Sequence, residues 1–284
     1  MLFSCSAAPV VANAPESSDG ADTTPGIVEP TESRPMTEPS TALAFDHEHA
    51  AWTAILQSHV VGNDFAYGKL KADSEEFYAY IDVLHSVSPE EVAGWTEDQQ
   101  FAFWINAYNA HTIQKVIENY PLKSIRKLDT GFGLNSIFDK SWIPMQAFHP
   151  KKKDKKLSLN DIEHGILRAD FKDARLHAAI NCASESCQPL LNEAFVASKL
   201  DDQLQTQMRA FVNDPDRNVI DLANDRLRLS EIFKWFKEDF ERDAGSVREY
   251  LIRFASPETA DFLREKKIRY LDYSWKLNDA PERS

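Results

Sequence analysis

The segment from Thr96 to Pro121 constrains the fold more than any other part of the chain. Thr96-Glu97-Asp98-Gln99 is a capping box, so a helix starts there, and Tyr120-Pro121 stops it. Phe101, Trp104, Ile105, Tyr108, Thr112 and Val116 recur at helical spacing and form one apolar stripe. Phe103, Ala107 and Ala110 make the opposite side apolar as well. A helix that is apolar nearly all round belongs at the centre of a core, with other elements packed about it. Asn109 projects into the stripe and Asn106 lies at its edge. A buried amide without partners costs roughly 1–3 kcal/mol, so both side chains need hydrogen bonds. Either they pin neighbouring loops or they line a site.

Around this helix the sequence punctuates a run of shorter elements. Asp46 is placed to cap a helix reaching about His59, and Ser74 to cap one from Glu75 to Leu84. Ser88-Pro89 opens another, with proline in the first helical position. Ser158-Leu159-Asn160-Asp161 starts a short helix through Leu167, and Ala194 to Val212 reads as helical. Ser230, Ser246 and Ser256-Pro257 begin three more. Val219 to Leu229 reads as a hairpin turning on Asn224-Asp225. Leu176 to Cys182 alternates as a strand, and so do Leu271, Tyr273, Trp275 and Leu277. Loops and short strands are expected from Leu122 to Lys156. The expectation is an α+β fold: a helix-dominated single domain over residues 44–284, with a small, mostly antiparallel sheet and a buried central helix.

Residues 1–43 differ in kind. They are rich in Pro, Ser, Thr, Glu and Ala and, past Phe3, hold no aromatic residue until the domain begins. Such a segment cannot bury enough apolar surface to offset its ordering entropy, and reads as a disordered tether. Cys5 follows Leu2, Phe3 and Ser4, which resembles the tail of a lipoprotein signal without its charged and apolar regions. Cys5 is thus either a lipid-attachment site or an incidental cysteine. A lipid anchor there would be the chain's membrane contact and would place it in the cell envelope, in periplasm or at the outer membrane. No run of 18 apolar residues exists. The net charge of -13 speaks against a nucleic-acid partner, and the Lys151–Lys156 run reads as a solvated turn.

The chemistry concentrates between Asp161 and Cys187. Leu176-His177-Ala178-Ala179-Ile180-Asn181-Cys182 carries one thiol, and Cys187 follows a turn-like Ala183-Ser184-Glu185-Ser186. Thiol, imidazole and carboxylate are the parts of a cysteine-nucleophile site. On a helical wheel Glu163 falls among Leu159 and Ile166 on the core face, so it must be paired or take up a proton. His164 falls at the border, with the solvent access a general base needs. On a regular strand His177 points away from Cys182 and towards Asn181, which leaves His164 as the base for Cys182. Gln188-Pro189 could begin a helix, whose N-terminus would lower the Cys187 pKa. The spacing fits neither a zinc ribbon nor a C-x-x-C redox motif, His47 and His49 give only a weak metal signal, and no cofactor-binding motif occurs.

Phe103-Trp104-Ile105-Asn106-Ala107-Tyr108-Asn109-Ala110 resembles the uncharacterised family called domain of unknown function 547. The resemblance continues through Asp161-Ile162-Glu163-His164-Gly165-Ile166-Leu167-Arg168, His177 to Ala183, Ser186-Cys187, Ile232 to Phe236 and Tyr270 to Tyr273, and spans roughly Asp73 to Asn278. It implies that Trp104, Asn106, Tyr108, Asn109, Glu163, His164, His177 and Cys182 belong to a shared signature. It also implies thiol-protease-like chemistry and an envelope or secreted setting. The chain departs from the family pattern at Gln188, where proline is common, and at Ser274, where aspartate is usual.

The expected function is therefore a cysteine-nucleophile hydrolase or acyl transferase acting on a peptide or a small thiol or acyl substrate. Cys182 would be the nucleophile and His164 the base, with Glu163, Asn106 and Asn109 in support and His177 and Cys187 as alternatives. Two rivals stand beside it. One is thiol-disulfide or glutathione-type redox chemistry by Cys182 and Cys187. The other is a non-catalytic envelope binding module in which that pair is a structural disulfide.

Overall fold

In the computed structural model, the described residues are 44–131, 135–148 and 156–281. The segment expected to be a tether, with Cys5, and most of the Lys151–Lys156 run lie outside them. The architecture is helix-dominated α+β, as expected. Helix α1 (Ala50–His59) packs on both α2 (Tyr67–Ala72) and α3 (Glu75–Ser86), and Val92 of α4 (Pro89–Ala93) joins the same hydrophobic cluster. Helices α2 and α3 in turn pack on α5 (Glu97–Glu118). A two-stranded ribbon, β1 (Val60–Val61) and β2 (Asp64–Phe65), links α1 to α2.

Helix α5 forms as its sequence dictates. The Thr96 hydroxyl accepts from Gln99 N–H while Gln99 Oε1 accepts from Thr96 N–H. Every residue from Phe101 to Ile113 is buried. Two other helix starts differ from expectation. The Ser74 hydroxyl makes no capping bond. Asp46 does bind the Ala50 N–H, but from four residues away, because His49 occupies the N-cap in a left-handed conformation. The His49 imidazole is spent on the Tyr80 hydroxyl, 2.8 Å away.

The second half begins with α6 (Leu159–Ile162), whose Ser158 capping box is formed. It continues directly into a π-helix, Glu163–Phe171. The segment read as a strand is instead a short helix, α7 (Leu176–Ala179), followed by extended chain. Its four residues are all buried, so an alternating pattern carried no information about which side faced the core. Ala178 joins one hydrophobic cluster and Leu176 and Ala179 the other, which wedges α7 between the two.

Helix α8 (Leu200–Asn213) starts later than expected. Strands β3 (Val219–Asp221) and β4 (Arg226–Leu229) form the hairpin, with Asp225 in the left-handed region at the turn. Helices α9 (Ile232–Trp235), α10 (Lys237–Ala244), α11 (Val247–Ile252) and α12 (Pro257–Glu265) follow. The closing strand is only β5 (Arg269–Tyr270), parallel to β4, so the three-stranded sheet is mixed. Residues 271–277 run on without strand pairing, contrary to the alternation of Leu271, Tyr273, Trp275 and Leu277. Among the described residues no helix is long and apolar enough to cross a membrane.

Candidate functional site

The cysteine loop is held from the central helix. Asn109 on α5 donates from Nδ2 to the Ala179 carbonyl at 2.9 Å and accepts the Asn181 N–H at 2.8 Å. It thus supplies the bonds that a neighbouring strand would have given the extended chain after α7. Asn181 continues the job: its Oδ1 accepts from Ala183 N–H and its Nδ2 donates to the Gln188 carbonyl, both at 2.7 Å. This local turn holds buried Ala183 at φ 58°, where a side chain costs roughly 1–2 kcal/mol. Buried Arg217 ties down the far end, donating to the Cys187 and Glu185 carbonyls.

Folded this way, the loop brings the two sulfurs to 2.8 Å. The Cys182 N–H also points at Cys187 Sγ, 3.2 Å away. The Tyr273 hydroxyl lies 3.1 Å from Cys182 Sγ and 2.9 Å from Ser184 Oγ. The hydrogen bond from Cys182 lowers the Cys187 pKa to about 7, against the opposing effect of burial. Burial, then the hydrogen bond and charge of Cys187, push Cys182 well above an ordinary thiol. Of the two sulfurs, Cys187 is therefore the one whose thiolate the loop favours. No helix begins at Gln188-Pro189, so the donors within the loop, rather than a helix N-terminus, hold that charge.

The sulfurs face a cavity of about 280 Å³. Phe138, Trp235, Phe236, Tyr273 and Trp275 provide an aromatic wall, and Trp235 is 44% exposed at its edge. Arg126 lies over the Trp275 ring, 4.9 Å from its centroid. Glu163, His164 and His177 line the same cavity.

His177 lines the cavity because α7 is helical, whereas a strand would have turned it away. It does not partner Asn181. Its Nε2 lies 2.7 Å from Asp239 Oδ2, and its ring stacks on Phe236 with centroids 3.9 Å apart. A carboxylate only accepts, so this contact puts the imidazole proton on Nε2 and leaves Nδ1 to take a proton. Asp239 also receives Arg168 Nε at 2.6 Å and Arg242 Nη1 at 3.1 Å. Burial alone would raise its pKa, but the His177 and Arg168 hydrogen bonds outweigh burial and hold it well below the usual carboxylate range. Burial lowers His177 to about 4 despite Asp239 beside it, so the ring is neutral.

His164 sits at the exposed rim, where the wheel placed it. Its Nδ1 lies 3.1 Å from Arg168 Nη1, an arrangement in which the guanidinium donates. Partial burial of the ring and the Arg168 charge lower its pKa. Among the described residues no imidazole nitrogen hydrogen-bonds either sulfur. Glu163 is buried, 7% exposed, and its carboxylate accepts from the Tyr108 hydroxyl at 3.2 Å. Burial raises its pKa to about 7 against that hydrogen bond, and the nearby Cys187 charge adds to the rise. Asn106 stands apart: it pins the 195 loop, exchanging two bonds with the Phe195 backbone, and does not line the cavity.

Sequence reasoning missed Asp239, Arg168, Arg217 and the role of Tyr273. Asp239 lies in the charged run Lys237-Glu238-Asp239, where nothing local marks it as the buried member. Among the described residues no group of three or more His, Cys, Asp or Glu side chains could hold a metal ion.

Against known proteins, residues 92–212 match the family described as "Protein of unknown function, DUF547". No curated protein and no solved structure matches the chain.

Proposed function

The chain belongs to the DUF547 family, whose description carries no activity, and we propose from its site that it is a thiol-disulfide oxidoreductase. The observation that carries this reading is the pair of sulfurs 2.8 Å apart on the wall of an open aromatic cavity. A dithiol so close needs little backbone movement to close, since the bond itself is near 2.05 Å.

In the reduced state Cys182 S–H donates to the Cys187 thiolate. Transfer of that proton to Cys187 leaves Cys182, the more accessible sulfur, as the thiolate. It attacks one sulfur of a substrate disulfide, forming a mixed disulfide and expelling the first substrate thiolate, which takes up a proton from solvent. Cys187 then loses its proton to solvent and attacks Cys182 Sγ, expelling the second thiolate, which takes up a proton from solvent in turn. The balance is one protein thiol, one protein thiolate, one solvent proton and one substrate disulfide in, one protein disulfide and two substrate thiols out. The reverse sequence oxidises a substrate dithiol. Aromatic walls favour a small or peptide-borne thiol with apolar groups beside the sulfur.

The test is turnover of a mixed disulfide with a chromogenic aromatic thiol, driven by a dithiol reductant. Cys182→Ser and Cys187→Ser should each abolish turnover. Full turnover in either variant would reject the oxidoreductase.

A second reading has its own observation: the neutral His177 oriented by Asp239 in the same cavity is an arrangement suited to general-base catalysis with Cys182 as acyl nucleophile. It requires the opposite outcome, thioester or peptide hydrolysis that survives Cys187→Ser and is lost in Cys182→Ser and His177→Gln.

A further inference from the structure

The β3–β4–β5 sheet carries an arrangement that the thiol site does not use. Along β4 the residues alternate as exposed Arg226, buried Leu227, exposed Arg228 and buried Leu229, so both arginines project from one face. In the parallel pairing of β4 with β5, Arg228 stands directly opposite Arg269, which is also exposed. Like charges directly opposite one another destabilise a strand pair. Lys266 and Lys267, just past the end of α12, border the same concavity of about 330 Å³.

Part of this charge is compensated: Asp221 on β3 stands opposite Arg226 and lies within electrostatic reach of it. Lys266 ion-pairs with Asp225. Arg226, Arg228, Lys267 and Arg269 make no ion pair among the described residues. Elsewhere Arg175, Arg242 and Arg264 are each held by a carboxylate. The negative end of the α12 dipole accounts for lysines at positions 266 and 267. It does not account for three arginines on the neighbouring strands. Asp225 also borders the concavity but is held by Lys266, and Asp221 stands opposite Arg226, so the uncompensated charge is that of Arg228, Arg269 and Lys267.

We propose that this concavity binds a phosphate group carried by a small ligand. A dianion placed between Arg228 and Arg269 removes the repulsion across the strand pair. Guanidinium forks match phosphate oxygens in pairs, with Lys267 adding a point charge. The size of the concavity and the acidic remainder of the surface favour a compact phosphate over an extended polyanion.

The experiment titrates the full chain with inorganic phosphate at low ionic strength, followed by calorimetry, with chloride matched as the control. A parallel arm measures co-sedimentation with phosphatidylcholine vesicles with and without phosphatidic acid, which separates a soluble phosphate from a lipid headgroup as the source. Saturable binding is expected that weakens about tenfold or more in R228Q and again in R269Q, the scale of a charge-assisted hydrogen bond. Both positions are exposed and outside the thiol site, so circular dichroism and the thiol reaction should be unchanged in them. Binding confined to phosphatidic acid vesicles and lost in R228Q would keep the phosphate site and assign it to a headgroup. Absence of saturable binding in both arms, or equal affinity in the double variant, would overturn the proposal.

Discussion

Replacing Glu163 by glutamine should make the protein more stable at high pH and leave it nearly unchanged at low pH. Glu163 is 7% exposed, and its carboxylate accepts one hydrogen bond, from Tyr108. Burial raises its pKa from 4.5 to about 7. For an acid raised on folding, the native state keeps a proton that the unfolded chain has already released. Stability therefore falls as pH rises from the unfolded pKa, and the loss is complete above the folded one. At 1.36 kcal/mol per pKa unit the shift corresponds to roughly 3 kcal/mol. Glutamine keeps the size and the acceptor for Tyr108 but cannot ionise. Under reducing conditions, urea denaturation of both proteins at about pH 5 and about pH 9 isolates this one group, because the other titrations are shared. The variant should gain on the order of 3 kcal/mol over the parent at the higher pH. A difference that stays flat with pH, or a variant that is weaker at high pH, would show that Glu163 is not the buried, proton-holding group described.

Three further outcomes follow from the same geometry. Asn109→Ala orphans the Ala179 carbonyl and the Asn181 N–H, and should cost about 2–4 kcal/mol in denaturant unfolding, more than a surface substitution could. Alkylation of the parent protein should follow a single midpoint near pH 7, falling as pH drops and Cys187 gains a proton, whereas Cys182→Ala removes the side-chain donor to Cys187 and moves that midpoint up. Asp239→Asn, by removing the acceptor that His177, Arg168 and Arg242 share, should change the His177 ring resonances and tautomer in NMR spectra while leaving those of buried His111 alone.

How much of this was legible depended on how local the cause was. The Thr96 box, the Ser158 box and the Asn224-Asp225 turn each act within a few residues, and each formed where the sequence placed it. The burial of Glu163 and the exposed position of His164 followed from counting around one helix. The run from Leu176 to Cys182 failed because its hydrogen bonds come from Asn109, about 70 residues earlier, and not from a sheet. Once α7 became helical, the argument that turned His177 away from the cysteines failed with it. Asp239 and Arg217 were invisible for a similar reason: each looks like surface charge until α7 or the cysteine loop is laid against it. Asn106 and Asn109 looked alike in sequence, and only tertiary contacts separate the one that pins a distant loop from the one that shapes the thiol turn.

The most direct measurement is a redox titration in glutathione buffers, with free thiols trapped and located by intact mass and peptide mapping. Cys182 and Cys187 should disappear together in one two-electron transition, giving an internal disulfide on a protein that stays folded and recovers on reduction. Independent modification of the two cysteines, with no internally bridged species at any potential, would contradict the account.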